Sequence, residues 1–260
     1  MNFVFERNIK LMCIICSGTI VTPENVFWAL MRFETTINCS ECTTVVKIPP
    51  IHDISQLFCC GCTNLVKISN IVGLQILDLR KCTALTSIPL FPHLERLYCN
   101  ECTALTSIPA MPKLQILDCT DCTALTSIPV MPNLDTLVCW GCTDLTDIPV
   151  LPQLKRLNCR ECTALTDIPC LSELVELDCT NCTGITNLCN FPNLMELCCW
   201  GCTALTGIPV MPKLNILNCQ HCTGLTSIPI IPGLEVLHCA NCVNITAISV
   251  IPGLKEIACI

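Results

Sequence analysis

The chain is poor in charge and in aromatic rings: charged residues make up 13% of its 260 positions, and Phe, Trp and Tyr together only 4%. Lys and Arg are scattered without a run of either. With a net charge of -7, the chain lacks the clustered basic footprint that a nucleic-acid backbone demands. Nucleic acid is therefore not an expected partner. No apolar stretch reaches the ~18 residues a membrane-spanning helix needs, so no membrane association is expected either. The few histidines (His52, His93, His221, His238) stand apart from one another. There is no phosphate-cradling glycine loop, no nucleophile elbow and no paired-carboxylate signature. A cysteine nucleophile would need a neighbouring base and an electropositive setting, and neither is evident. The expectation is a non-enzyme without a cofactor. Disorder is excluded in turn, because hydrophobic residues make up 52% of the chain and supply ample apolar surface to bury.

What is present is a period. The turn Leu114-Gln-Ile-Leu117-Asp-Cys119-Thr-Asp-Cys122-Thr-Ala-Leu125-Thr-Ser-Ile128-Pro129-Val-Met131-Pro132-Asn133 recurs with a step of 20 residues from Ile37 onward. Its frame is L-x-x-L-x-C-x-x-C-T-x-L-T-x-I-P-x-x-P-x. Leu117-x-Cys119 sends alternate side chains inward as a strand does, with Asp118 outward between them. The second half cannot be a helix, because prolines three apart remove backbone donors and push their predecessors into extended geometry. No single turn can hide seven apolar side chains by itself, and stacking of neighbours completes the core.

This frame resembles the leucine-rich repeat pattern L-x-x-L-x-L-x-x-N/C-x-L, carried most fully by Leu74, Leu77, Leu79, Cys82 and Leu85. Its I-P-x-x-P half is similar to a 20-residue subclass found in bacterial effectors, and its cysteines to giant-virus versions. The resemblance spans residues 34 to 260 and implies an α/β-type, mostly β solenoid of about 12 turns, the last incomplete. It also implies a curved horseshoe, with parallel strands on the concave side and extended or polyproline segments on the convex side. Residues 1 to 33 read as an N-terminal cap. Leu11-x-Cys13-x-x-Cys16 mimics half a repeat, and Thr22-Pro23-Glu24 opens a short capping helix through Val26 to Met31.

The chain holds 28 cysteines, a count that in a short secreted protein would mean a disulfide framework. Most of them follow the repeat: one column runs through Cys39, Cys59 and Cys99 to Cys259, and a second from Cys42 to Cys242. Columns of cysteine alternating with leucine read as core, so reduced thiols and a cytoplasmic, reducing compartment, host cytosol included, are expected. The rival is bridging between neighbouring turns, which strand spacing permits. Secretion is the rival localisation, since Arg7 and Lys10 before Leu11-Met-Cys-Ile-Ile-Cys outline a signal peptide. Glu6 and the break at Ser17-Gly18-Thr19 argue against it.

Function is expected on the outward strand positions, which vary while the core does not. Trp140 and Trp200 stand three turns apart with Arg156 and Arg160 between them. Tryptophan and arginine are the residues enriched at binding hot spots. With Val138, Asn158, Asp178, Tyr98 and Phe58 they form the candidate surface for a protein partner, unless the Trp-Gly turn is a copied ancestral unit without a binding role. The leading expectation is a protein-interaction module, host-directed in a viral or bacterial setting, monomeric or weakly associating through its last turn. The alternatives are a recognition subunit for a separate ubiquitin ligase, a zinc-knuckle protein using Cys13, Cys16, Cys39 and Cys42, and a threonine-ladder surface of the ice-binding kind built on Thr123 and Thr126.

Overall fold

The computed structural model describes residues 35–259. The strands in chain order are β1 (Thr36–Asn38), β2 (Lys47–Ile48), β3 (Gln56–Phe58), β4 (Lys67–Ile68), β5 (Ile76–Asp78), β6 (Arg96–Tyr98), β7 (Ile116–Asp118), β8 (Thr136–Val138), β9 (Arg156–Asn158), β10 (Glu176–Asp178), β11 (Glu196–Cys198), β12 (Ile216–Asn218), β13 (Val236–His238) and β14 (Glu256–Ala258). All but β2 and β4 form one 12-stranded sheet in sequential order. Every neighbouring pair is parallel, and each central residue sits opposite its counterpart in the next turn, as Leu117 does opposite Leu137. The result is a mostly β parallel solenoid of about 11 complete turns. No α-helix occurs among the described residues, as the proline-bearing half of each repeat led one to expect. The expected capping helix and the half-repeat before it lie outside the described residues.

One turn shows why these residues fold this way. Leu114, Leu117, Cys119, Cys122, Leu125, Ile128 and Met131 are all buried, and the same columns are buried in neighbouring turns. The strand ladder continues past β7, where the Cys119 amide donates to Val138 O at 2.8 Å and Asp121 to Trp140 O at 2.7 Å. The eighth position then takes positive φ in turn after turn, as at Lys81, Glu101, Asp121 and Glu161. That left-handed residue swings the chain out of the strand. The amide after it closes back on the sixth position, Cys122 N to Cys119 O at 3.1 Å.

The ninth-position cysteine has a bonding role that packing alone does not describe. Its thiol donates to a main-chain carbonyl of the preceding turn, Cys122 Sγ to Cys99 O at 3.0 Å and Cys142 Sγ to Cys119 O at 3.1 Å. The same bond recurs from Cys62 to Cys242. A buried carbonyl without a partner costs ~1–3 kcal/mol, and a small apolar side chain with one donor both fills the space and meets that need.

The prolines divide the labour on the opposite side. The second one occupies the turn Met131–Leu134, closed by Leu134 N to Met131 O at 3.2 Å, where a fixed φ near −65° suits the first central position. The first removes an N–H and so prevents lateral pairing. Where the frame has Ser69 instead, its amide donates to Ile48 O at 3.0 Å and β2 pairs with β4. The remaining proline segments form no paired strands, only the isolated bridges Ser87–Ser107 and Ser127–Asp147 just ahead of the first proline, as expected of extended, donor-poor backbone.

The expectation that every thiol stays reduced is corrected at two places. Cys170 and Cys189 are disulfide-bonded across adjacent turns with Cα atoms 5.4 Å apart, as are Cys239 and Cys259 at 4.8 Å. Stacking at strand spacing brings equivalent positions to bonding distance. Between the ends the thiols of the two columns remain unbridged, Cys99 through Cys222 included.

Candidate functional site

The strand face is built from the third and fifth positions of each turn, joined by the seventh and eighth where the chain leaves the strand. Asp or Asn at the fifth position is first a turn-former. Asn158 Oδ1 accepts the Arg160 amide at 3.2 Å, and Asp178 Oδ1 accepts both the Thr180 amide at 3.1 Å and the Thr180 hydroxyl at 2.7 Å. Asn38, Asp78, Asp118 and Asn218 make the same bond two residues on. These side chains hold the bend open at the strand end, which leaves them less of their hydrogen-bonding capacity for a partner.

Trp140 and Arg160 meet. The Arg160 guanidinium carbon lies 5.6 Å from the centre of the Trp140 ring, within cation–π range. Its Nη1 stands 3.6 Å from Asp178 Oδ2, and its Nε is buried without a hydrogen-bond partner. Trp140 nonetheless remains 40% exposed. Arg156 joins a different network, 3.9 Å from Asp135 and 3.4 Å from Glu176. Lys155 bonds Asp135 at 2.9 Å, and that hydrogen bond holds the Asp135 carboxyl below its usual range.

Trp200 does not share this cluster. Its ring contacts His221 edge-on, with centroids 5.0 Å apart, and among the described contacts no arginine reaches it. The two tryptophans are alike in their setting, because Gly141 and Gly201 occupy the left-handed position after them. The residue one turn earlier, Asp121 or Asn181, lays its side chain over that glycine, where a Cβ would collide with it. The Asp121 carboxyl is raised by its burial there and by Glu101 and Glu161. Trp-Gly is thus a packing unit between successive turns as well as an exposed ring.

Phe58 and Tyr98 stand opposite Asp78 on either side of it. Between them the Asp78 side chain is only 4% exposed and is gripped by Arg80 at 2.6 and 2.9 Å. That bidentate pair holds the Arg80 guanidinium above its ordinary pKa. Val138 lies half-buried on β8. The candidate residues therefore fall into three groups along the face, Phe58–Asp78–Tyr98, Val138–Trp140–Asn158–Arg160–Asp178 and Trp200–His221, with Arg156 bridging beside the second. A groove of about 430 Å³ starts within the second group and runs over β9 to β13, lined by Glu176, Asp178, Glu196, Cys198, Ile216 and His238.

Sequence reasoning missed three of these partners. Asp78 with Arg80 was signalled by two opposite charges two residues apart across a turn. The fifth-position Asx turns were signalled by recurrence of Asp and Asn in that column. Nothing local marked His221 as the neighbour of Trp200, since their contact depends on the stacking of turns.

Of the four cysteines weighed as zinc ligands only Cys39 and Cys42 are described, and among the described residues no group of three or more His, Cys, Asp or Glu is placed to hold a metal. Cys13 and Cys16 lie outside the described residues. Cys39 packs 3.2 Å from the Cys59 sulfur, and Cys42 lies 3.2 Å from the Thr44 hydroxyl. No described helix is long and apolar enough to cross a membrane.

A solved leucine-rich repeat protein from Bacteroides ovatus is similar in fold, with a TM-score of 0.50 over 86% of this chain and 78% of that one, at 17% sequence identity. That likeness concerns the fold alone. No family model matches the chain, and no curated protein does.

Proposed function

We propose that this leucine-rich-repeat-like solenoid is a non-catalytic protein-interaction module whose strand face, centred on Trp140 and Arg160, takes a protein partner. The observation that carries the reading is an exposed indole stacked by a guanidinium on a rigid sheet. Such preorganised aromatic and arginine side chains supply most of the energy in protein interfaces, and the neighbouring turns vary around them. The face is acidic on balance, with Glu101, Asp121, Glu176, Glu196 and Glu256 among its residues. A partner with a basic surface fits it, and association would weaken as salt rises.

The test is affinity capture on the immobilised chain, with quantitative comparison of Trp140→Ala, Arg160→Ala and wild type. Proteins captured by wild type and lost from both variants support the reading. Retention of every captured protein by both variants overturns it. A host-directed role, in the manner of the effector and viral repeats that this sequence resembles, belongs to the same proposal. So does a reducing compartment, in which the column cysteines from Cys99 to Cys222 stay thiols.

A further inference from the structure

We propose that the Cys170–Cys189 disulfide is a thiol–disulfide exchange site on the proline side of the solenoid, opened by a dithiol reductant and controlling how tightly the turns before β10 and β11 are joined. The proposal is independent of the interaction reading and concerns the opposite side of the repeat.

Two observations meet here. From Pro89 to Pro232 the paired prolines of the frame are interrupted only at Ser172 and Cys189. The two interruptions fall in successive turns, and these are the turns that Cys170 and Cys189 link, with Cα atoms 5.4 Å apart. Where prolines elsewhere stiffen this side of each turn, a covalent bond between turns stands in their place. Besides the disulfide, this side of the junction is held by Asn193 Nδ2 donating to Ser172 O at 2.8 Å.

The second observation is access. The column cysteines that flank the site, Cys159, Cys162, Cys179 and Cys182, are buried, whereas Cys170 is exposed and Cys189 half-buried. Exchange requires a thiolate to reach one of the two sulfurs, and Cys170 is the exposed residue of the pair. A reductant thiolate attacks Cys170 Sγ, the S–S bond breaks, and Cys189 leaves as a thiolate that takes up a proton. The second thiol of the reductant then displaces Cys170, which is also protonated. The products are two cysteine thiols and one disulfide in the reductant, a balanced two-electron transfer. Reclosure consumes a low-molecular-weight disulfide by the reverse steps.

The structural consequence falls on the strand face. The chain from Cys170 runs into β10 within a few residues, and from Cys189 into β11. Those strands carry Glu176, Asp178, Glu196 and Cys198 of the groove. Opening the bond loosens the turns on which this half of the face is mounted.

The experiment uses the full chain without denaturant. It is treated with iodoacetamide over a series of dithiothreitol concentrations, with peptide mass spectrometry and amide hydrogen exchange as readouts. Cys170 and Cys189 are expected as one linked peptide pair without reductant. They are expected to become alkylated with it, while Cys159, Cys179 and Cys199 stay unlabelled. Amide exchange across residues 165–195 should rise ~10-fold on reduction, the signature of local opening, with residues 85–150 unchanged. A double variant, Cys170→Val with Cys189→Pro, restores the repeat frame and should lose the reductant response at 165–195. Alkylation of both cysteines without reductant overturns the proposal. So does simultaneous labelling of the buried columns, exchange in wild type that ignores reduction, or a double variant that still responds.

Discussion

The turn that carries β8 and the turn that carries β14 share one frame, yet Leu137 is fully buried while its counterpart Ile257 is 53% exposed. The central turn is covered on both sides, and the outermost described turn on one side only. Ile245 and Ile248 at that end are likewise only half-buried, where Leu145 and Ile148 are buried. The difference shows that burial here belongs to the stack, not to the turn. A repeat contributes half an interface to each neighbour, and its stability is a nearest-neighbour sum.

The largest expected break in this comparison is in the central core. Leu137→Ala should cost ~2–5 kcal/mol, the range for a buried leucine that leaves a cavity. Ile257→Ala should cost under ~1 kcal/mol, because the side chain is already half in water. Urea unfolding of the two variants measures the gap. Equal losses would mean that the outer turn is buried in solution by another surface.

A smaller effect separates the two roles of the ninth-position cysteine. Cys142→Ala removes the donor to Cys119 O and should cost ~1–3 kcal/mol. Cys142→Ser keeps a donor and should cost less, in the same unfolding assay. If the two variants are equally destabilised, the thiol acts by volume alone.

The same contrast of inside and outside appears in reactivity. The sixth-position thiols are buried, and a hydrogen-bonded thiol of the next turn, followed by burial itself, raises them above the ordinary thiol range, as at Cys139 with Cys162. Burial pushes Cys102 up to about 12. Reaction also needs access to the sulfur, so in native protein at neutral pH the half-buried Cys198 should be alkylated at least ~10-fold faster than the adjacent, fully buried Cys199. Time-resolved peptide mapping checks this, and equal rates would show that the columns open readily.

The smallest stability effect is expected on the strand face. Trp140→Ala should change unfolding free energy by under ~1 kcal/mol, the scale of an exposed cation–π contact. In a binding assay with a captured partner it should cost ~2 kcal/mol or more if the indole is a hot spot. A stability loss as large as that of Leu137→Ala would assign the ring to the scaffold instead.

Fold and site differed in how legible they were. The repeat was readable because its signal is summed over many copies. Leu117, Cys119, Cys122 and Leu125 are each one member of a column, and chance cannot sustain a column at a fixed step. That the proline side would hold no helix followed from missing amide donors alone. The site was less legible because its members are single residues whose partners lie one or two turns away. Arg160 was named with both tryptophans but stacks on Trp140, whereas Trp200 meets His221. Asn158 and Asp178 looked like free recognition groups, and they proved to be fastened to the next amides. The disulfide at Cys170 and Cys189 was invisible to column counting because both residues stand outside the columns, at different positions of the repeat.

The thiol bonds between turns also give the solenoid a sense of direction. Those made by the ninth-position cysteines all point the same way, from a sulfur to a carbonyl belonging to the turn before it, as from Cys62 to Cys39 and from Cys242 to Cys219. Bond dipoles aligned head to tail reinforce one another, so this column of thiol bonds has a donor side and an acceptor side. A turn inserted from elsewhere in the array fits only in the parent orientation, and a reversed copy would set acceptor against acceptor. Growth or shortening of such a body by whole turns is therefore polar, like adding links to a chain whose hooks all face one way.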